Sequence, residues 1–234
     1  MQSIFAHRGV SSLAIENSEQ AIQLCAQYGL KAVEVDVQLL ADNTAVIFHD
    51  ADFKRLAQID RQLKTLTLQE LDAITLKMPH KDNQSVLTLS ELIDIIKRLD
   101  LVVNIELKRF GQSCDAYVQN IVQPLIKELP INKLLFSSFD FELLEAIRAY
   151  CTHSKIAVLS DHFDEQVLAF IQKISAQACH LKDAILNIED IKNFKAHGFF
   201  VGAFTVNDNK RYQQLMQAGV DYVFSDVPHL LSME

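Results

Sequence analysis

Glu34 and Asp36 are the first residues that invite chemistry. They stand two apart in Ala32-Val33-Glu34-Val35-Asp36-Val37-Gln38, a valine-rich run that reads as a strand. Side chains alternate faces along a strand, so the two carboxylates share one face. Burying two carboxylates on an apolar strand is costly unless something positive sits between them, and a divalent cation answers that need. Taken alone, an acidic pair at this spacing is more often a solvated surface than a site. His49 closes the next apolar run, Ala45-Val46-Ile47-Phe48, where an imidazole could move a proton beside such an ion.

Two further stretches carry matching groups. Ile4-Phe5-Ala6 runs straight into His7-Arg8-Gly9, and Gly9 permits a tight turn there. Leu101 to Lys108 alternates so that Asn104, Glu106 and Lys108 share a face. Such a Glu and Lys also describe a plain surface ion pair, worth little. If these strand ends meet, three carboxylates (Glu34, Asp36 and Glu106), two imidazoles (His7 and His49) and two cations (Arg8 and Lys108) fill one mouth. Three carboxylates without a cysteine suit one hard divalent cation, Mg²⁺ or Ca²⁺, better than zinc. Arg8 and Lys108 opposite that ion suit a phosphate.

The elements that must position these groups alternate along the chain. A helix carrying Ala21, Ile22, Leu24, Cys25 and Tyr28 is expected after Asn17, its predicted cap, with Gly29 as its stop. Residues 51–87 are polar and irregular, with a capping box at Thr67 and Glu70. This segment is either an insertion walling a substrate site or a surface excursion. Thr88 and Glu91 form a second capping box, opening a helix that buries Leu89, Leu92, Ile93, Ile96 and Leu99. Pro124 is expected to kink or break a helix over 114–129. Strands are then expected at 133–138, 155–160, 178–182, 199–206 and 222–225, each of the first four followed by a helix. Alternation over the whole length predicts a parallel α/β architecture, and the number of units favours a closed TIM-type (β/α)8 barrel. Nine candidate strands compete for eight staves. The link from Asp36 to Ala45 is too short for a helix and by itself suggests an antiparallel hairpin.

The chain has 234 residues, 49% of them hydrophobic, which is enough for one domain spanning 1–234. Its net charge of −8 disfavours a nucleic-acid groove or an anionic membrane as partner. Four scattered cysteines, an N-terminus that enters a strand almost at once, and the lack of a long apolar run place the protein in the reducing cytoplasm.

His7-Arg8-Gly9, Glu16-Asn17-Ser18, Glu34-Val35-Asp36, His49-Asp50, Glu106-Leu107-Lys108, Phe204-Thr205-Val206-Asn207 and Gly219-Val220-Asp221 with Ser225-Asp226-Val227-Pro228 come in the order seen in the glycerophosphodiester phosphodiesterase family, which the chain resembles over nearly its whole length. The resemblance implies a barrel whose second and third strands are joined without a helix. It implies Glu34, Asp36 and Glu106 as metal ligands, His7 and His49 as the acid/base pair, and Arg8 and Lys108 on the phosphate. The implied reaction is hydrolysis of a small glycerophosphodiester to glycerol 3-phosphate and an alcohol. Three positions depart from the family pattern. Ile15 stands where Pro is usual, Phe204 where Trp is usual, and Asp42-Asn43 where Asp-Gly is usual. These bear on pocket shape rather than on charge. Rival readings are a lysophospholipase D-like enzyme, which calls for an apolar lip that the polar 53–86 region lacks, and a non-catalytic phosphate-binding domain, which calls for the loss of a ligand or a histidine. A third, an amidohydrolase-like barrel, would open on His-x-His, but position 9 is Gly.

Overall fold

The computed structural model describes residues 3–162 and 164–232. Among these, eight parallel strands close on themselves: β1 (Ile4–His7), β2 (Ala32–Leu39), β3 (Val102–Leu107), β4 (Leu134–Ser138), β5 (Ile156–Ser160), β6 (Ala178–Lys182), β7 (Phe200–Phe204) and β8 (Tyr222–Ser225). Each pairs with the next, and β1 pairs with both β2 and β8, so the barrel has no open edge. Helices Glu19–Gln27, Leu89–Leu99, Phe141–Tyr150, Glu165–Lys173, Ile188–Ala196 and Asn209–Ala218 ring it. Their apolar sides and the outward residues of the staves form the main core, with Val33, Val35, Val37, Val103 and Ile105 fully buried there. A smaller apolar cluster from the alternate residues, including Phe5, Ala32, Leu135, Ala157, Ala178, Tyr222 and Phe224, fills the barrel floor.

The ninth candidate strand, Ala45–Ile47, is not a stave. It returns antiparallel along β2, with Val37 opposite Ile47 and Leu39 opposite Ala45. The helix-less link therefore joins a stave to a hairpin strand, and the next stave, β3, follows its own helix, Leu89–Leu99. β2 pairs with β3 only as far as Val37 and Leu107, so its last residues overhang the barrel and the return strand carries the chain back to the mouth.

One local expectation changes in the structure and another takes a specific form. The cap of the first helix is Ser18, whose hydroxyl accepts from Ala21 N–H, while Asn17 sits at positive φ with its amide directed to Asp36. The expected irregularity at Pro124 takes the form of a π turn within the helical path. That path runs through an α-turn (Cys114–Tyr117), a π-helical turn (Val118–Val122) and an α-helix (Gln123–Glu128). Pro124 has no N–H to give to a carbonyl four residues back, and the wider π turn, with Gln123 N–H bonded to Val118, absorbs that gap.

Between the hairpin strand and the helix at Leu89, the chain builds a second apolar cluster around Phe48, Phe53, Leu56, Leu63, Leu66 and Leu71. The Phe48 and Phe53 rings pack 4.7 Å apart, which ties this segment to the loop that carries His49. The capping boxes at Thr67/Glu70 and Thr88/Glu91 are both formed. No helix of the described residues is long and apolar enough to cross a membrane.

Candidate active site

Strand parity brings the acids together. Asp36 lies opposite Glu106 in the β2–β3 ladder, and His7 lies opposite Glu34 in the β1–β2 ladder. Even-numbered β2 and β3 residues face into the barrel, and Glu34, Asp36 and Glu106 each offer a carboxylate oxygen within 4.8 Å of the others. Glu34 and Asp36 are both 1% exposed. Burial, then the neighbouring Asp36 and Glu106, push the Glu34 carboxyl well above its usual range. Burial would also raise Asp36, but Arg8, Lys108 and His49 more than reverse this and hold it low. Glu34 Oε1 and Asp36 Oδ1 are buried without a hydrogen bond, though Lys108 Nζ lies 3.3 Å from the latter. Two orphaned carboxylate oxygens in an oxygen-only donor set fit a hard cation, so these three residues could hold one.

Both cations predicted for the site lie against this cluster. Arg8 adopts positive φ, which lets its backbone N–H donate to Glu34 (2.9 Å) while its guanidinium reaches Asp36 (3.1 Å) and Glu16 (2.7 Å). The turn depends on Gly9, because a Cβ there would stand 2.6 Å from the Ala21 backbone. Lys108 continues the inward face of β3 and reaches Glu106 at 2.5 Å. Burial lowers the Lys108 pKa, but Asp36 and Glu106 outweigh it and hold the ammonium charged.

The two histidines are each held by a carboxylate. His7 Nδ1 lies 2.7 Å from Asp226, the residue after β8. Asp226 also accepts from Ser11 (3.0 Å) and Asn207 (2.8 Å). Burial alone would raise the Asp226 carboxyl, but these donors, His7 first, bring it down to about 2. His49 Nδ1 lies 2.7 Å from Asp50, which Arg55 holds low against the pull of burial. Ionised carboxylates can only accept, so Nδ1 is the donor in both pairs and Nε2 is free for chemistry. Gln38, on the same face as Glu34 and Asp36, donates to the carbonyls of Phe48, His49 and Asp50 at 2.7, 3.0 and 2.9 Å and pins the loop that presents His49.

All seven predicted site residues therefore meet at one end of the barrel. Five of them, His7, Arg8, His49, Glu106 and Lys108, line a cavity of about 670 Å³ whose far wall includes Phe139, Asp161, Lys182 and Phe204. Reading the sequence assigned no role to Glu16, Gln38, Asp50, Arg55 or Asp226, and gave Asn17 only a helix cap. Gln38 was legible, because it continues the parity of Glu34 and Asp36. Asp226 likewise continues that of Tyr222 and Phe224. Arg55 carried no local signal.

Comparison with known proteins agrees with this geometry. The sequence profile of the glycerophosphoryl diester phosphodiesterase family matches residues 7–230. A glycerophosphodiester phosphodiesterase of Bacillus altitudinis is 28% identical, with 97% of this chain and 96% of that protein aligned. One from Caldanaerobacter subterraneus is 27% identical, covering 97% and 95%. A solved phosphodiesterase of Oleispira antarctica, in complex with its product sn-glycerol-3-phosphate, superposes with a TM-score of 0.91 at 28% identity, covering 97% of this chain and 94% of that one.

Proposed function

The chain belongs to the glycerophosphoryl diester phosphodiesterase family, and on that premise we propose that it hydrolyses small glycerophosphodiesters to glycerol 3-phosphate and an alcohol. The observation that carries this reading is the convergence of Glu34, Asp36 and Glu106, two of their oxygens buried and unpartnered, between two carboxylate-held imidazoles. These three residues would hold one divalent cation, Mg²⁺ or Ca²⁺. Such an ion supplies Lewis acidity and neutralises charge on the phosphoryl oxygens. Arg8 and Lys108 neutralise the rest of that charge and fix the diester in the cavity. His7, its Nδ1–H donated to Asp226, takes a proton from the nucleophile at Nε2. His49, its Nδ1–H donated to Asp50, gives its Nε2 proton to the departing alcohol oxygen. A positioned acid and a positioned base each contribute roughly 10²–10⁴-fold. The nucleophile is water or the neighbouring glycerol hydroxyl; the two differ by whether a cyclic phosphate accumulates.

On the same reading the chain is one barrel domain, with 51–87 inserted after the hairpin strand. The unpaired Cys25, Cys114, Cys151 and Cys179 suit a cytoplasmic location. Turnover of glycerophosphocholine is the test. It is expected with added Mg²⁺ or Ca²⁺ and abolished by a chelator, and an inert protein under every divalent ion would remove the assignment. A second reading has one observation in its favour. Phe139 and Phe204 meet edge-on at 6.2 Å in the cavity wall, and a lysophospholipid chain would lie against them. Faster turnover of a lysophospholipid than of glycerophosphocholine would select it.

A further inference from the structure

No residue of the 51–87 segment lines the cavity, yet one of its side chains reaches both halves of the site. Arg55, on the short helix Lys54–Ala57, makes four hydrogen bonds to two carboxylates. Its NH1 and NH2 donate to Glu16 at 2.6 and 2.8 Å, and its Nε and NH2 donate to Asp50 at 2.8 and 3.0 Å. Glu16 in turn accepts from Arg8 NH1 at 2.7 Å, and Asp50 accepts from His49 Nδ1 at 2.7 Å. One guanidinium thus stands between the residue that faces the phosphate and the imidazole that faces the leaving group. Lys81 of the same segment donates to the Ser11 and Ala14 carbonyls at 2.5 and 2.9 Å, which fixes the loop leading to Glu16.

We propose that Arg55 is a positioning residue that sets the orientation of His49 through Asp50 and of Arg8 through Glu16 at the same time. An isolated surface ion pair contributes little, but this one is bidentate on one side, forked on the other, and part of a network. Without Arg55, Glu16 and Asp50 face each other with no cation between them. Asp50 then keeps only its bond to His49 and is free to swing with it. A lysine reproduces the charge but not the planar fork that holds two carboxylates. The kinetic consequence rests on the hydrolase reading above, whereas the orientation of His49 does not.

The experiment therefore has two independent arms, using Arg55→Met and Arg55→Lys in the full chain. The first arm measures the His49 imidazole by long-range ¹⁵N–¹H correlation at a pH where the ring is neutral. The intact protein is expected to show the Nδ1–H tautomer, and both variants a mixture. An unchanged tautomer in a folded variant overturns the proposal. The second arm compares glycerophosphocholine with a glycerophosphodiester bearing a p-nitrophenyl leaving group, which departs without a proton. Loss of orientation at His49 is expected to lower kcat about tenfold to a hundredfold for the choline ester and much less for the nitrophenyl ester, while a loosened Arg8 raises KM for both. Equal kcat losses on both substrates, or full rescue by Lys, overturn it. Should Arg55→Met fail to fold, Arg55→Lys carries both arms. An intact protein inert toward both esters counts against the hydrolase reading, and the tautomer then decides the positioning claim alone.

Discussion

Each imidazole of the site is paired with an acid, and the two pairs differ in how deeply they are set. The His7 side chain is half as exposed as that of His49, 15% against 31%, and Asp226 is further tied by Ser11 and Asn207. In the proposed mechanism this suits His7, the more firmly held ring, to the role of base. Asp226→Asn keeps the shape but offers an amide donor to Nδ1, which favours the tautomer with the proton on Nε2, the wrong one for accepting. We expect kcat to fall by about 10²-fold or more, with urea melting little changed, since the pair is partly exposed. A variant with full activity would assign the proton transfer elsewhere. At this scale much was legible. Glu34, Asp36, Glu106 and Lys108 follow from strand parity alone, a local property. The partner of His7 did not follow, because His7 and Asp226 are 219 positions apart and meet only when the barrel closes.

The staves also carry a buried titratable group outside the seven residues of the proposed mechanism. His180 on β6 is 1% exposed, with its Nε2 2.8 Å from the Tyr222 hydroxyl on β8. Burial drives its pKa from the usual 6.5 down to about 3. The folded protein therefore keeps His180 neutral where the unfolded chain takes up a proton. Stability is fully present above about pH 6.5 and is lost as pH falls toward 3, by at most ~1.4 kcal/mol per pH unit from this one group. His180→Gln, which still offers a hydrogen bond to Tyr222, is expected to flatten that part of the stability–pH curve. Urea melts between pH 7 and 4 would show it, and an unaltered slope would place the proton uptake elsewhere. The weak apolar pattern of 178–182 foretold a strand but not a buried imidazole. What decides that is the neighbouring Gly202, where an added Cβ would come within 2.8 Å of the His180 ring, so the ring occupies space that only glycine leaves.

Closure of the whole barrel concentrates repulsion as well as chemistry. Glu34, Asp36 and Glu106 are held within 4.8 Å by backbone ladders that cannot relax without opening the sheet. Without a cation, the fold bears this cost. A divalent ion binding only the folded state stabilises by mass action, about 2.7 kcal/mol at a hundredfold excess over Kd. The melting temperature is expected to rise with Mg²⁺ or Ca²⁺ and to fall back with a chelator. Glu34→Gln, which removes one charge but keeps an acceptor for Arg8 N–H, is expected to melt higher than the parent without metal and to gain little from adding it. Calorimetric scans of both proteins with and without ion check this. A parent melt indifferent to every divalent ion would strike the three acids from the ligand set.

The amino-acid sequence by itself determined the alternating parallel architecture, the sidedness of the acid-bearing strands and the short link that excludes a helix, because all three are written in periods of two and 3.6 residues and in turn chemistry. The short link already suggested that Ala45–Ile47 turns back along β2, but tertiary structure alone decided that it lies outside the barrel, which delivers His49 beside Asp36. It alone decided that Asn17 serves Asp36 rather than the helix end, and that Arg55 bridges Glu16 and Asp50. These are matters of register and closure between segments distant in the chain, set by which apolar faces bury against each other, and no local pattern encodes them.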